Sequence, residues 1–159
     1  MTGEVTLREV VDSDLPIFFE QQLDADANWM AAFTAKDPAD WDAFMAHWAR
    51  NRAEETNIIQ TILLDGHVVG SVSSYQEEPG KPEVTYWLGK DCWGHGIATR
   101  ALTMFLERMT ARPVYARAVK DNAGSLRVLE KCGFRITGED KGFANARGAE
   151  VEEYLLTLE

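Results

Sequence analysis

In the stretch Trp93-Gly94-His95-Gly96-Ile97-Ala98-Thr99 two glycines stand one residue apart, directly before a helical pattern. Glycine leaves backbone N–H groups uncovered, and the helix that follows aims its positive dipole end at the same spot. Such a loop suits a pyrophosphate. Two phosphate signatures do not fit it. A nucleotide-triphosphate loop needs Gly, four residues, then Gly-Lys-Ser/Thr; Gly89 and Gly94 have that spacing, but His95-Gly96 stand where Lys and Ser/Thr are required. A dinucleotide fingerprint needs a third glycine where Thr99 stands, and a parallel βαβ unit where hairpin patterns precede the loop.

Other reactive side chains are few. Cys92 and Cys132 are the only cysteines, and His47, His67 and His95 are scattered, with no CxxC or HExxH spacing; no metal is expected. The 26 Asp and Glu against 16 Lys and Arg give a formal charge of −10, which argues against nucleic acid as a partner. An acidic surface favours a cationic substrate such as an amine, or else simply keeps the protein dissolved. Apolar runs such as Ile58 to Leu64 are far shorter than the roughly 20 residues that cross a bilayer. Met1 to Val10 lacks the apolar run of a leader, so no membrane partner and a cytoplasmic location are expected.

The elements that must hold the loop read as one mixed α/β domain over residues 1–159, with a mostly antiparallel sheet of about seven strands and about four helices. Val5 to Glu9 alternates as a short strand, and Asp12-Ser13-Asp14 offers caps before Leu15-Pro16-Ile17-Phe18. A polar stretch around Asp24 to Asn28 follows. Trp41, Phe44, Met45 and Trp48 then form one apolar helical face, capped near Asp37-Pro38 and expected in the core. Ile58 to Leu64 and Val68 to Tyr75 flank Asp65-Gly66, a hairpin signal, and Glu83 to Leu88 makes a third strand. After the glycine loop come a helix over about Ala98 to Met109, a strand at Val114 to Val119, and a short helix from Asn122 to Cys132 ended by Gly133. Phe134 to Thr137 and Val151 to Leu158 are read as the last strands, around a Gly-rich connection from Lys141 to Ala149.

Two blocks carry a family resemblance. The glycine loop resembles the Gln/Arg-x-x-Gly-x-Gly/Ala loop of the GNAT acetyltransferases. The segment Asn122-Ala123-Gly124-Ser125-Leu126-Arg127-Val128-Leu129-Glu130-Lys131-Cys132-Gly133-Phe134 resembles that superfamily's Asn-x-x-Ser/Ala…Lys-x-Gly-Phe segment. The order of elements agrees over essentially the whole chain. Glu83-Val84-Thr85-Tyr86-Trp87-Leu88 with Trp93 at the start of the loop is most similar to the RimJ/RimL branch. The resemblance implies acetyl-CoA as co-substrate, a primary amine as acceptor (a protein N-terminus or a small molecule), and direct transfer in a ternary complex. It also leaves room for a non-catalytic acyl-CoA sensor.

Acetyl transfer needs a neutral amine, a donor to the oxyanion of the tetrahedral intermediate, and a proton for the departing thiolate. At pH 7 an α-amine of pKa near 8 costs about 1.4 kcal/mol to deprotonate, against about 4.6 kcal/mol for lysine. The resemblance puts the oxyanion donor on main chain near Trp87 and Leu88, and the pyrophosphate on Trp93, Gly94, His95, Gly96, Ile97, Ala98 and Thr99. It makes Glu83 the base, directly or through water, or else only a solvated charge at a strand end, with Glu77, Glu78, Asp24 and Asp26 as alternatives or as charges that attract a cationic substrate. The usual acid is a tyrosine seven residues after the motif asparagine, where Leu129 stands here. Ser125 is therefore expected to serve the sulfur, or else to cap its helix. Asn122 is expected on the pantetheine arm, as a cap, or both; Arg127 and Lys131 are candidates for the 3′-phosphate. A covalent route through Cys92 or Cys132 lacks a histidine partner. Trp29, Met30, Phe33, Trp41 and the Lys141–Glu150 connection are candidates for choosing the acceptor, and Val151 to Leu158 for pairing in a homodimer.

Overall fold

The computed structural model describes residues 3–159; Met1 and Thr2, the start of the segment read as lacking a leader, lie outside them. Seven strands form one sheet: β1 (Val5–Glu9), β2 (Ile58–Leu64), β3 (His67–Tyr75), β4 (Glu83–Leu88), β5 (Val114–Val119), β6 (Arg135–Ala144) and β7 (Ala149–Leu158). Their order is β1-β2-β3-β4-β5-β7-β6, antiparallel throughout except where β4 meets β5. Five helices surround the sheet: α1 (Leu15–Gln22), α2 (Ala25–Ala31), α3 (Trp41–Ala53), α4 (Ile97–Arg108) and α5 (Ala123–Lys131). Among the described residues no helix is long and apolar enough to cross a membrane.

Local chemistry explains most of these boundaries. Asp65 and Gly66 both take positive φ, 50° and 82°, as a two-residue hairpin with a primed turn requires. Helix α5 starts where the Asn122 side chain accepts from Ser125 N at 3.1 Å. It stops at Gly133, where Gly133 N bonds to Glu130 O and Phe134 N to Leu129 O, two nested bonds that satisfy the last carbonyls.

Four expectations are corrected. Helix α2 takes in most of what reads as a polar stretch around Asp24 to Asn28: Asp24 caps it by accepting from Ala27 N, and its outward Trp29 hides the helical period. Helix α3 is capped by Asp40 rather than near Asp37, and Trp41 at its start is 40% exposed while Phe44 is buried. Strand β6 runs on to Ala144, so the supposed connection is mostly strand and the turn is residues 145–148. Its charged residues gain their order from pairing with β7, not from burial. Finally, β7 is paired on both sides, by β5 and β6, so it has no edge to offer a second copy.

The main core lies between the sheet and α4 and α5, where Ile97, Leu102, Phe105 and Leu129 meet Ile62, Val72, Val114 and Leu156. A second cluster, Leu15, Phe18 and Phe44 with Ile59, packs α1 and α3 on the opposite face, since Ile59 and Ile62 differ by an odd number along β2.

On the α1 and α3 face of the sheet, the Asp14 carboxylate is buried and receives Arg8 through two bonds of 2.7 and 2.9 Å, Thr61 Oγ1 at 2.7 Å and Val11 N at 3.0 Å. Burial by itself would raise its pKa, but the bonds from Arg8, Val11 and Thr61 outweigh it and bring the group down to about 2. The folded pKa is thus below the unfolded one. The resulting stability, about 2 kcal/mol, is complete above about pH 4 and is lost as pH falls toward 2. Urea titrations between pH 6 and 2.5 are expected to show this loss in the wild type and a flatter dependence in Asp14→Asn.

Candidate active site

Strands β4 and β5 share a single ladder pair among the described residues, Glu83 with Tyr115, reinforced by Tyr115 N to Pro82 O at 2.9 Å. Beyond it the strands splay, leaving a wedge with unpaired main chain along β4. Pro82 O points toward β5, whereas Gly89 N points the other way, to Val69 O of β3. Main-chain groups of alternate residues face opposite edges of a strand. The amides of Tyr86 and Leu88 therefore face the wedge, and that of Trp87 faces β3. The expected oxyanion donor narrows to Tyr86 or Leu88.

The wedge is a cavity of about 480 Å³, within the range of small-molecule sites. Its β4 wall is Tyr86, Trp87 and Leu88. Its floor is the glycine loop and the first turn of α4, through Trp93, Gly94, Gly96, Ile97, Ala98 and Thr99. Its far wall is α5, with Asn122, Ser125, Arg127 and Lys131, and α2 closes it with Ala27, Met30 and Ala31. Of the loop residues expected to meet a cofactor, only His95 is not part of the lining.

The loop is shaped for an anion. Gly94 and Gly96 take φ of 77° and 76°, and a Cβ added to either would meet nothing within 4 Å. Gly96 caps α4, whose first helical bond is Arg100 N to Gly96 O, so the preceding N–H groups have no acceptor within the helix. Trp93 fixes the loop to the strand: its indole N–H donates to Leu88 O at 2.9 Å. The tryptophan at the first loop position is thereby an anchor.

Helix α2 straps the opening. At one end Asp26 pairs with Lys90 in the loop after β4. At the other, Asn122 Nδ2 donates to Met30 O at 3.4 Å, and Arg147 donates to Trp29 O at 2.7 Å while gripping Asp121 through two bonds. Asp24 is the α2 cap and Glu78 pairs with Lys81, so these acidic residues have structural partners.

Because the Asn122 side chain caps α5, the Ser125 hydroxyl is released from capping. Ser125 Oγ lies 3.4 Å from the Tyr86 phenol, and both residues line the cavity. The sequence reading missed Tyr86. Its place on the Val84–Leu88 side of the strand followed from two-residue alternation, but its partner lies 39 residues away on α5.

Glu83 is not brought into this cavity. It stands at the paired end of β4 and, three residues from Tyr86, on the opposite face. Arg117 Nε donates to Glu83 Oε1 at 2.9 Å, and Arg117 Nη1 reaches Glu153 at 2.8 Å and Asp140 at 3.2 Å. Burial first, and then the neighbouring Glu83 as hydrogen-bond acceptor and as charge, push the Tyr75 phenol up. Cys92 lines the cavity, but burial and then Asp91 raise its thiol above the ordinary value, which disfavours a thiolate nucleophile. Burial likewise raises Cys132, which is 3.6 Å from Thr103 Oγ1 and not part of the lining.

Known proteins share this fold. YdaF of Bacillus subtilis (strain 168), named as a candidate ribosomal N-acetyltransferase, is 29% identical over 117 residues, 67% of this chain and 64% of its own length. The chain spans less than two thirds of the length of the curated relatives it matches. Mycobacterium smegmatis RimJ, solved with CoA-disulfide, superposes with a TM-score of 0.81 at 24% identity, over 98% of this chain and 82% of that one. A Vibrio cholerae spermidine N-acetyltransferase, solved with CoA and spermine, gives 0.83 at 14% identity, over 97% and 94%. The fold is therefore theirs. The acetyltransferase (GNAT) domain model matches residues 4–135, through the splayed strand, the glycine loop and α5, and the chain belongs to that family.

Proposed function

We propose that the protein transfers acetyl from acetyl-CoA directly to a primary amine. One observation carries this reading: a single cavity runs from the open cradle of Gly94 and Gly96, along the bare edge of β4, to the Ser125 hydroxyl. Acetyl-CoA fits the groups present. The loop amides and the start of α4 suit its pyrophosphate, Arg127 and Lys131 its 3′-phosphate, and Asn122 and the edge of β4 its pantetheine arm. When bound it supplies an activated acetyl thioester. The Leu88 or Tyr86 amide then stabilises the developing oxyanion, and Ser125 faces the sulfur.

Glu83 is proposed to act from the opposite face, drawing the amine proton through water while Arg117 fixes its carboxylate. The net −10 charge supports a cationic acceptor. The name of YdaF supports a ribosomal acceptor, and the spermidine enzyme a small polyamine.

Calorimetric titration of acetyl-CoA, followed by a thiol-release assay over N-terminal peptides and small amines, tests the proposal. Amine-dependent release supports it. Binding without release under every amine leaves an acyl-CoA sensor, and no binding removes the reading altogether. Once turnover is seen, Ser125→Ala is expected to lower kcat about tenfold with acetyl-CoA affinity nearly unchanged. Glu83→Gln is expected to lower it about 100-fold. An unchanged kcat would remove Glu83 as the base.

A further inference from the structure

We infer that Tyr86 is the positioning residue that makes Ser125 an effective hydrogen-bond donor to the leaving sulfur, an inference that rests on the transferase reading above. Leu129 is buried on α5 and has no hydroxyl to give. One turn earlier on the same helix, the phenol of Tyr86 crosses from β4 and lies 3.4 Å from Ser125 Oγ. The wedge thus holds two hydroxyls in series, one from each wall, within the cavity lining.

The polarity of the pair follows from acidity. A phenol, with a pKa of about 10, is the stronger donor of the two hydroxyls. Tyr86 therefore donates to Ser125 Oγ, and the Ser125 proton is left for a second acceptor. Asn122 Oδ1 takes the Ser125 N–H, which fixes the residue on the first turn of α5 while its hydroxyl stays in the wedge. Burial raises the Tyr86 phenol, with the Ser125 bond working in the opposite direction, so Tyr86 stays protonated at any neutral working pH.

In the reaction the amine nitrogen forms a bond to the thioester carbon and the C–S bond breaks, its electron pair passing to sulfur. Ser125 gives its proton to sulfur and takes the proton of Tyr86. Solvent returns to Tyr86 the proton that the acylated nitrogen sheds. The sum is one amide and one free thiol, with no other reactant. A thiol of pKa about 8.5 is already a fair leaving group, so the expected gain is moderate.

The test is a double-mutant cycle on the full chain. Tyr86→Phe is expected to lower kcat about tenfold, with the KM for acetyl-CoA within about twofold and the melting temperature preserved. In a Ser125→Ala background the same change is expected to cost less than about twofold, because the second hydroxyl acts only through the first. A fluorinated tyrosine at position 86, which keeps the hydroxyl, is expected to restore the rate. Without any substrate, the ζ-carbon NMR signal of Tyr86, assigned by its loss in Tyr86→Phe, is expected to move in Ser125→Ala. An unchanged rate in Tyr86→Phe, additive losses in the cycle, or a signal indifferent to Ser125 would each overturn the inference while leaving the transferase reading intact. Absence of amine-dependent thiol release from the wild-type protein would overturn that reading first, and the inference with it.

Discussion

Replacing Gly96 with arginine is expected to weaken acetyl-CoA binding by at least about 100-fold, equivalent to about 2.7 kcal/mol, in a calorimetric titration. Two causes add. At φ 76° a side chain strains the backbone, at a cost of roughly 1–2 kcal/mol. The space that a Cβ would enter is empty in the fold, because the glycine faces the cavity rather than a neighbour. The side chain is therefore accommodated by the protein and excludes the ligand. Gly96→Asn separates the causes, since asparagine tolerates the left-handed region and is short. It is expected to lose only about tenfold in affinity, with both variants melting a few degrees lower. Wild-type affinity in Gly96→Arg would show that the pyrophosphate lies elsewhere.

That this loop stood out in the sequence follows from its physics. A positive-φ turn ahead of an amphipathic helix is specified within a few residues by glycine itself, and Asn122 and Gly133 mark the two ends of α5 just as locally. Contacts between distant residues are not written this way. Nothing near Glu83 announces Arg117, 34 residues on, because their meeting depends on β5 lying beside β4. The Tyr86–Ser125 pair needs the same adjacency plus the return of α5 across the wedge. Helix α2 escaped for another reason. It is seven residues long, and its inward face is only Ala27, Met30 and Ala31, while Trp29 is turned outward over Arg147, so the apolar stripe is too short and small to stand out in the sequence. Its position is set by its bonds to Lys90, Asn122 and Arg147, all far away in the chain.

The same reasoning gives Gly70 a role that its neighbours in sequence do not suggest. Gly70 of β3 stands opposite Leu88, and a Cβ there would sit 2.1 Å from Trp87 O and 3.0 Å from Leu88 Cα. Both obstacles are main chain, so no side-chain rotation relieves them. Gly70→Ala must push β3 and β4 apart at the point where β4 presents its amides to the wedge. Overpacking of this kind costs about 1–3 kcal/mol, and the absence of a flexible neighbour puts this site at the upper end. The variant is expected to melt about 6–12 °C lower, by calorimetry. Its surviving folded fraction is expected to turn over at least about tenfold more slowly, because the oxyanion donor moves with the strand. The pyrophosphate loop is tied to β4 only through the Trp93 indole and is otherwise carried by α4, so acetyl-CoA affinity is expected to fall less than kcat. A variant that loses affinity and turnover in equal measure would place the loop and the strand edge in one mechanical unit, and normal turnover would show that the amides of Tyr86 and Leu88 are not the oxyanion donors.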